Sequence, residues 1–415
     1  MKIAIIGGGI SGLLTAYLLR EKAEVVVYEK NDWIGGHSHT VHINEEDEQI
    51  PVDTGFIVYN ETNYPIFTKL LAQLDVKTIA TQMSFCVHCE RSGLQFNPRS
   101  FDTLFAQRGN LLSPAFWRML WEARSFRGSF AQLMDIDDEE VTVKEYLKSQ
   151  GYSDMFLEKL ILPLAASIWS SPKETVEKFP LKMFVTFFKN HGFLGYRRQY
   201  HWRTVLGGSE NYVKKLTAPL EGSIRLNSAV AKVVRREDCV EVIGAGGKCE
   251  SYDQIVFACH SDEALQILAD GATEAEREIL SALPYQKNDV LLHCDTSILP
   301  QEEKLWASWN YFIPKEESAA VCISYDMNIL QSLPRKREYL VTLNQRKQIA
   351  KEKVLGEYEY SHPQYIPGAM AAQSRHSEIS SVNRTHYCGA YWRYGFHEDG
   401  AFSAVRVAKA FDVEF

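Results

Sequence analysis

The chain of 415 residues carries 45 Lys and Arg against 53 Asp and Glu, and a net charge of −8 argues against nucleic acid as its main partner. With 45% hydrophobic and 24% charged residues it reads as a globular protein too long for one simple core, so two interleaved domains are expected. No apolar run approaches the roughly 18 residues of a membrane-spanning helix, and a first strand starting at Lys2 leaves no room for a cleavable leader, so a cytoplasmic protein is the expectation.

The chain opens MKIAIIGGGISG. An apolar β-branched run from Ile3 to Ile6 leads straight into Gly7, Gly9 and Gly12, spaced G-x-G-x-x-G. In that pattern the first glycine permits a tight turn and the second lets the backbone approach a pyrophosphate. The third lets the following helix pack closely on the strand. The helix, predicted from Ser11 to about Glu21, aims its N-terminal N–H groups and partial positive charge at phosphate. A second strand, Glu24–Tyr28, ends at Glu29, 17 residues past Gly12, where a carboxylate accepts both hydroxyls of an adenosine ribose. Together these predict a site for an ADP-bearing dinucleotide.

A strand pair is expected within Val41–Val52, then the segment Val52 to Asn60 and an amphipathic helix from about Asn63 to Leu74. Residues 100–200 read as helical, with breaks at Pro114, Pro172 and Pro180. After Gly207-Gly208-Ser209 the pattern turns to short strands: Ser223–Asn227, Ala229–Arg235, Cys239–Ile243, Gln254–Cys259 and Val290–Cys294. A glycine-rich element, Gly389–Gly400, opens a last helix over Ala401–Phe411. The eight cysteines are scattered. Cys86 and Cys89 are weighed as a ligand pair, but no second pair stands at zinc-site spacing, so no metal site is expected.

Glu29 continues into Lys30-Asn31-Asp32-Trp33-Ile34-Gly35-Gly36-His37. This resembles the E-(x)5-G-G-R continuation found in the flavin amine oxidase and phytoene desaturase superfamily, where the paired glycines pass close to the pyrophosphate and the Arg supports it. His37 stands where the Arg is usual, which weakens the phosphate contact and leaves the backbone contacts in place. The resemblance runs along essentially the whole chain. Val230 matches the strand that lies beside the adenine, and Ala258, in Ile255–His260, matches the strand that packs near the cofactor phosphates. Gly389–Ala401 resembles the flavin-ring motif, with Glu398, Asp399, Gly400 and Ala401 at the helix N-terminus that faces the ring. Where that motif usually has a carboxylate after its glycine, Ala390 follows Gly389.

The resemblance therefore implies FAD, with Ile10, Ser11, Lys30, Thr54, Gly55 and Phe56 completing the cofactor-binding set. Residues 340–387 contain no cysteine, so the flavin is expected to be non-covalent. The implied fold is α/β. A Rossmann-type, glutathione-reductase-like FAD-binding domain over 1–82, 203–285 and 366–415 is interleaved with an α+β substrate domain over 83–202 and 286–365.

Within the superfamily the motifs GGHSHT (35–40), VDTGFIVYN (52–60), GGSENYV (207–213), LHCDTSILP (292–300), WASWNY (306–311) and GFHEDG (395–400) resemble a subfamily of predicted FAD-binding oxidoreductases. That subfamily is associated with fatty-acid-modifying methyltransferases, which implies redox chemistry on acyl chains. A flavin amine oxidase acting on polyamines, a flavin-dependent isomerase and a lipid carrier are the rival readings.

The resemblance places His397 and Glu398 beside the ring as groups that move a proton while hydride leaves the substrate. Lys287 lies close to the lysine that amine oxidases set near the flavin, and Asn288 fits that place about as well. Tyr59 and Asn60 are candidates to line the pocket, and Asp53 is expected to tie down the turn at Gly55. From Lys178 to Arg203, basic residues alternate with Phe179, Phe184, Phe187, Phe188, Phe193, Tyr196, Tyr200 and Trp202, with no Asp or Glu. Contact with an anionic membrane through 178–203 is one partner expectation; a lipid or other apolar substrate and a homodimer are the others. Residues 101–132 repeat the basic and aromatic theme more weakly.

Overall fold

The computed structural model describes residues 1–46, 48–135, 141–192, 200–316, 320–334 and 336–415. Its organising element is a five-stranded parallel sheet in the order Ile224–Arg225, Glu24–Tyr28, Lys2–Ile6, Gln254–Phe257, Thr385–Tyr387. Three of these strands are almost wholly apolar because both faces are covered. Ile3, Ile5, Val25, Val27 and Val256 face a layer that includes Ala16, Leu19 and Val407, from the helices Ile10–Leu19 and His397–Lys409. Ala4, Ile6, Val26, Tyr28, Ile255 and Phe257 face the other way, into the large core that continues through the rest of the molecule.

On that side lies an antiparallel meander, Val230–Arg235, Val240–Gly244 and Cys249–Tyr252. It is tied down by a bidentate ion pair. The Arg235 guanidinium reaches the two oxygens of Glu276 at 2.6 and 2.9 Å, and the Tyr387 hydroxyl donates to the same carboxylate at 2.7 Å.

A second, seven-stranded sheet takes its strands from 85–96 and 285–363. Its order is Val354–Pro363, Tyr285–His293, Leu340–Leu343, Ile323–Asp326, Trp309–Ile313, Phe85–Cys89, Gln95–Phe96. The helices between 101 and 190 pack into the core with it. The pair Thr40–Asn44 and Gln49–Asp53, and the strands Tyr59–Asn60, Trp202–Val205 and Thr78–Ala80, connect the two regions.

Several expectations change. The last helix runs His397–Lys409, starting four residues earlier than its apolar pattern suggests, because Glu398 and Asp399 occupy the acidic first turn that a helix dipole favours. The strand expected at Val290 begins at Tyr285. Of the described rings in the basic and aromatic stretch, Phe179, Phe184, Phe187 and Phe188 are core residues, most of them on the buried face of the helix Leu181–Asn190, and Tyr200 and Trp202 are half-buried. Phe193, Tyr196, Arg197 and Arg198 lie outside the described residues. Cys86 and Cys89 are both buried in the Phe85–Cys89 strand, and among the described residues no group of three His, Cys, Asp or Glu side chains is placed to hold a metal ion. No described helix is long and apolar enough to cross a membrane.

The closest backbone approach in the first sheet sets a test. A Cβ on Gly12 would stand 2.0 Å from the Gly7 carbonyl oxygen, which belongs to the turn itself and has no rotamer to give. Gly12→Ala is expected to cost at least about 1–3 kcal/mol in a denaturant midpoint. A variant that unfolds with the wild type would mean that the helix is not seated on the strand as described.

Candidate functional site

The site begins where the first strand stops. Gly7, at φ +111°, donates its N–H to the Tyr28 carbonyl at 2.8 Å and lies so close to Ala258 that a side chain would meet that residue's carbonyl. Gly9 then starts the helix Ile10–Leu19, which has no side-chain cap and no acidic residue in its first turn. Its leading N–H groups are left for an outside acceptor. Opposite stands the second glycine pair. Gly35 donates to the Gly8 carbonyl at 2.9 Å, and Gly36, at φ +61°, would bring a Cβ to 3.0 Å from the Gly9 Cα. Gly9 and Gly36 thus meet backbone to backbone, and the surface they share in front of the helix start, free of side chains, forms the floor of a slot.

At the far end of the slot Glu29 is buried and accepts from the Gly8 and Asn31 N–H groups at 2.8 and 2.9 Å, one on each oxygen. Burial raises its pKa despite these bonds. Each oxygen keeps a lone pair, which is what a ribose diol requires. Lys30 turns outward to an ion pair with Glu263. Val230 opens the meander directly after Asn227 and Ser228, whose N–H groups donate to the Asn31 and Glu29 carbonyls.

The other end is built by the last segment. The helix His397–Lys409 crosses the first helix at Gly400, whose carbonyl accepts from the Ser11 hydroxyl at 3.2 Å. Ahead of it Gly389 donates to Ser403 Oγ at 2.9 Å, and Ala390 begins a single 3₁₀ turn to Trp392. Asp399 folds this turn back, accepting the Tyr394 and Phe396 N–H groups at 3.2 and 2.9 Å through one oxygen. Ala401 is fully buried behind it.

Glu398 does not point toward the slot. It accepts the Ile66 and Phe67 N–H groups at 3.0 and 2.9 Å and so caps the helix Pro65–Gln73 from another part of the chain. This is a positioning role. His397 stacks on Phe56 at 3.7 Å and stands 2.8 Å from the Tyr212 hydroxyl, with burial pushing it down to about 3. Tyr59 is enclosed by Tyr64 and Phe67 within the core.

Between the two ends lies a group of rings that the sequence does not announce. His37 faces Tyr360 at 5.1 Å, His362 at 5.3 Å and His260 at 6.4 Å. Burial first, and then the neighbouring imidazoles, hold His37 down at about 4 and His362 well below the usual histidine range. The backbone of His37 is clamped as well: its carbonyl accepts from Phe56 at 2.7 Å, and a Cβ on Gly55 would lie 2.4 Å from that oxygen. Thr54 shares a 2.6 Å hydrogen bond with Tyr360.

Lys287 does not reach this group. Its side chain is 73% exposed and pairs with Glu359 at 2.9 Å. Side chains alternate along a strand, so the inward position belongs to Asn288. That residue is buried, donates to the Ser170 carbonyl at 3.1 Å, lies 3.0 Å from His362 Nδ1 and accepts from Asn344 at 2.8 Å. Asp53 also differs from expectation. It does not tie the Gly55 turn but gathers the Ser209 N–H and hydroxyl, the Thr40 hydroxyl and the Gln331 amide around one buried carboxylate, which burial raises to about 6.

The residues present suit FAD. The side-chain-free surface of Gly9 and Gly36 at the helix start suits a pyrophosphate, Glu29 suits a ribose, and the buried hydroxyls of Tyr365 and Tyr391 have no partner among the described residues.

Comparison with known proteins agrees with this geometry. The model of flavin-containing amine oxidoreductases matches residues 10–296, more than half of the chain. Among solved structures, cyclohexylamine oxidase from Brevibacterium oxydans IH-35A superposes with a TM-score of 0.70 at 16% identity, covering 99% of both chains. Putrescine oxidase bound to putrescine gives 0.65 at 15%, again with 99% of each chain covered. A CLA-producing fatty acid isomerase from P. acnes gives 0.69 at 14%, covering 99% of this chain and 98% of the other. No curated protein sequence matches significantly. The chain belongs to the flavin-containing amine oxidoreductase family and is an FAD-dependent oxidoreductase.

Proposed function

We propose that the substrate is a long apolar molecule, a methylated or unsaturated acyl chain of a phospholipid, from which hydride is removed. The observation that carries this reading is that, among the described residues, no carboxylate beside the turn Ala390–Trp392 is left without a partner. Glu398 spends both oxygens on backbone N–H groups, and Asp399 gives one oxygen to the Tyr394 and Phe396 N–H groups and the other to Arg393 at 3.5 Å; burial raises Glu398 to about 7 and Asp399 to about 6. His37, His397 and His191 are all pushed down to between about 3 and about 4 and stand neutral. An ammonium substrate needs an anionic partner or an open aromatic face. The rings here are already covered, Phe56 by His397 at 3.7 Å and Phe396 by Phe187 at 4.8 Å. Burying an unpaired cation among neutral groups is costly, whereas an acyl chain loses nothing there.

Bound FAD supplies the hydride acceptor. The chain itself supplies position and exclusion of water. The His397–Lys409 helix presents its first-turn N–H groups and partial positive charge. The neutral imidazoles of His37, His260 and His362 stand where they can hold or take up a proton near the slot. The fold serves both an amine oxidase and a fatty acid isomerase among its relatives, so the lining rather than the scaffold selects the substrate.

Two outcomes are expected. In anaerobic titration of the purified protein, phospholipid with unsaturated or methyl-branched acyl chains should bleach the oxidised flavin bands, and putrescine or cyclohexylamine should leave them unchanged. Bleaching by amine alone would overturn the proposal. So would a lipid product of unchanged mass that forms only after prior reduction of the flavin, which would make the protein an isomerase. The second outcome concerns Glu398. Its folded-state pKa, about 7, lies above the ordinary 4.5, so its contribution to stability is complete below about pH 4.5 and is lost as the pH rises through 7. Glu398→Gln has no such titration. The wild type should lose up to about 3 kcal/mol relative to this variant between about pH 5 and pH 8, read from paired thermal melts. A constant difference would mean that Glu398 is ionised throughout.

A further inference from the structure

The exposed apolar residues of this protein are not scattered. Among the described residues ten large hydrophobic side chains are exposed, and five of them, Phe101, Leu111, Leu112, Trp117 and Trp121, fall between 101 and 121. They form one surface. Phe101 packs on Phe105 at 4.7 Å, Phe105 on Trp117 at 5.1 Å, and the Trp117 indole N–H donates to the Leu111 carbonyl at 2.9 Å. Trp121 follows one turn after Trp117 on the same side of the helix Pro114–Gly128 and is 67% exposed. Leu112, in the turn before that helix, is 87% exposed. The opposite side of the helix buries Phe116, Met119 and Phe126, so its core-facing stripe is already satisfied. The tryptophan stripe is a second apolar face that the described residues leave exposed.

The charge around it is equally local. Residues 99–128 hold Arg99, Arg108, Arg118, Arg124 and Arg127 against only Asp102 and Glu122, within a chain of net charge −8. Glu122 is buried and spent on Arg118 and on the Ser153 N–H and hydroxyl, and Asp102 pairs with Arg108. Arg124 stands exposed beside Trp121.

We propose that this surface docks on an anionic phospholipid bilayer, with Leu112, Trp117 and Trp121 entering the headgroup boundary and the arginines meeting lipid phosphates. Tryptophan is the residue suited to that boundary, with an apolar ring and one polar edge, and arginine is the cation suited to phosphate. A single apolar face that carries excess positive charge is complementary to an anionic bilayer. The same charge disfavours a symmetric pairing of two copies, which would set arginine against arginine. The inference does not depend on the substrate assigned above, since a docking surface can be gained or lost without altering the slot.

The test is flotation of the holoenzyme with vesicles of phosphatidylglycerol and phosphatidylethanolamine, compared with vesicles of phosphatidylcholine alone. The wild type should float with the anionic vesicles, and less so as salt is raised. Leu112→Ser combined with Trp121→Ser should weaken partitioning at least about tenfold, with flavin content and melting temperature unchanged because both side chains are already in solvent. Val382→Ser, another exposed apolar site away from 99–128 in the chain, should leave it unaltered. The proposal is overturned if the wild type does not float, or if the double variant floats as well as the wild type. It is also overturned if the wild type is a dimer in light scattering that the double variant breaks, since the face would then join two copies.

Discussion

The contact on which the site depends is the crossing of the first and last helices at Gly400. A Cβ there would lie 2.8 Å from an Ile10 methyl and 2.9 Å from the Ser11 hydroxyl, the same hydroxyl that holds the Gly400 carbonyl. Only glycine lets the two helices approach so closely. That crossing sets the distance between the starts of the helices Ile10–Leu19 and His397–Lys409, so residues 389 apart in the chain fix how two helix N-termini stand to one another. Glu398, one turn of side chain away, extends the constraint by capping the Pro65–Gln73 helix, and Phe56 and Phe67 then close around His397.

Three buried acids, Asp53, Glu398 and Asp399, share a design that differs from the Arg235–Glu276 pair. Each gathers backbone N–H groups, hydroxyls or an amide, and only Asp399 adds a cation, Arg393 at 3.5 Å on its second oxygen. Such bonds stabilise the ionised form, yet burial outweighs them and the three pKa values rise. Backbone segments from distant parts of the chain are thereby held by buried carboxyl groups. Glu276, by contrast, sits against Arg235 at the meander, where burial opposes ionisation and the guanidinium prevails, so its pKa falls.

How much of this could be read from the sequence follows from how local each requirement is. Gly7, Gly9, Gly12 and Glu29 were legible because strand, turn, helix and acid lie within thirty residues and each position has one physical demand. Lys287 does not announce its outward place because Tyr285 to Lys287 do not look apolar, and the apolar pattern alone starts the strand at Val290 rather than Tyr285. With side chains alternating, one position decides which face a residue meets, and Asn288 took the inward one. Tyr360 and His362 do carry a signal in the sequence, since they alternate with exposed Glu357 and Glu359 along one strand. Their meeting with His37 and His260 is a product of tertiary packing alone.

The two aromatic stretches show the same limit and what lies beyond it. Phe184, Phe187 and Phe188 follow the i, i+3, i+4 spacing of one helical stripe, and so do Trp117 and Trp121 with their one-turn interval. Sequence gives each stripe but not the side from which the core approaches. In the Leu181–Asn190 helix the core takes the aromatic stripe; in Pro114–Gly128 it takes Phe116, Met119 and Phe126 and leaves the tryptophans outside. The consequence for a bilayer is orientation. At physiological salt a charge is felt over only about 8 Å, so the overall −8 opposes approach weakly and without direction, while the local excess of residues 99–128, five arginines against two acids, acts at the point of contact. A protein acidic in sum can therefore meet an acidic surface, provided that it arrives with this one face first.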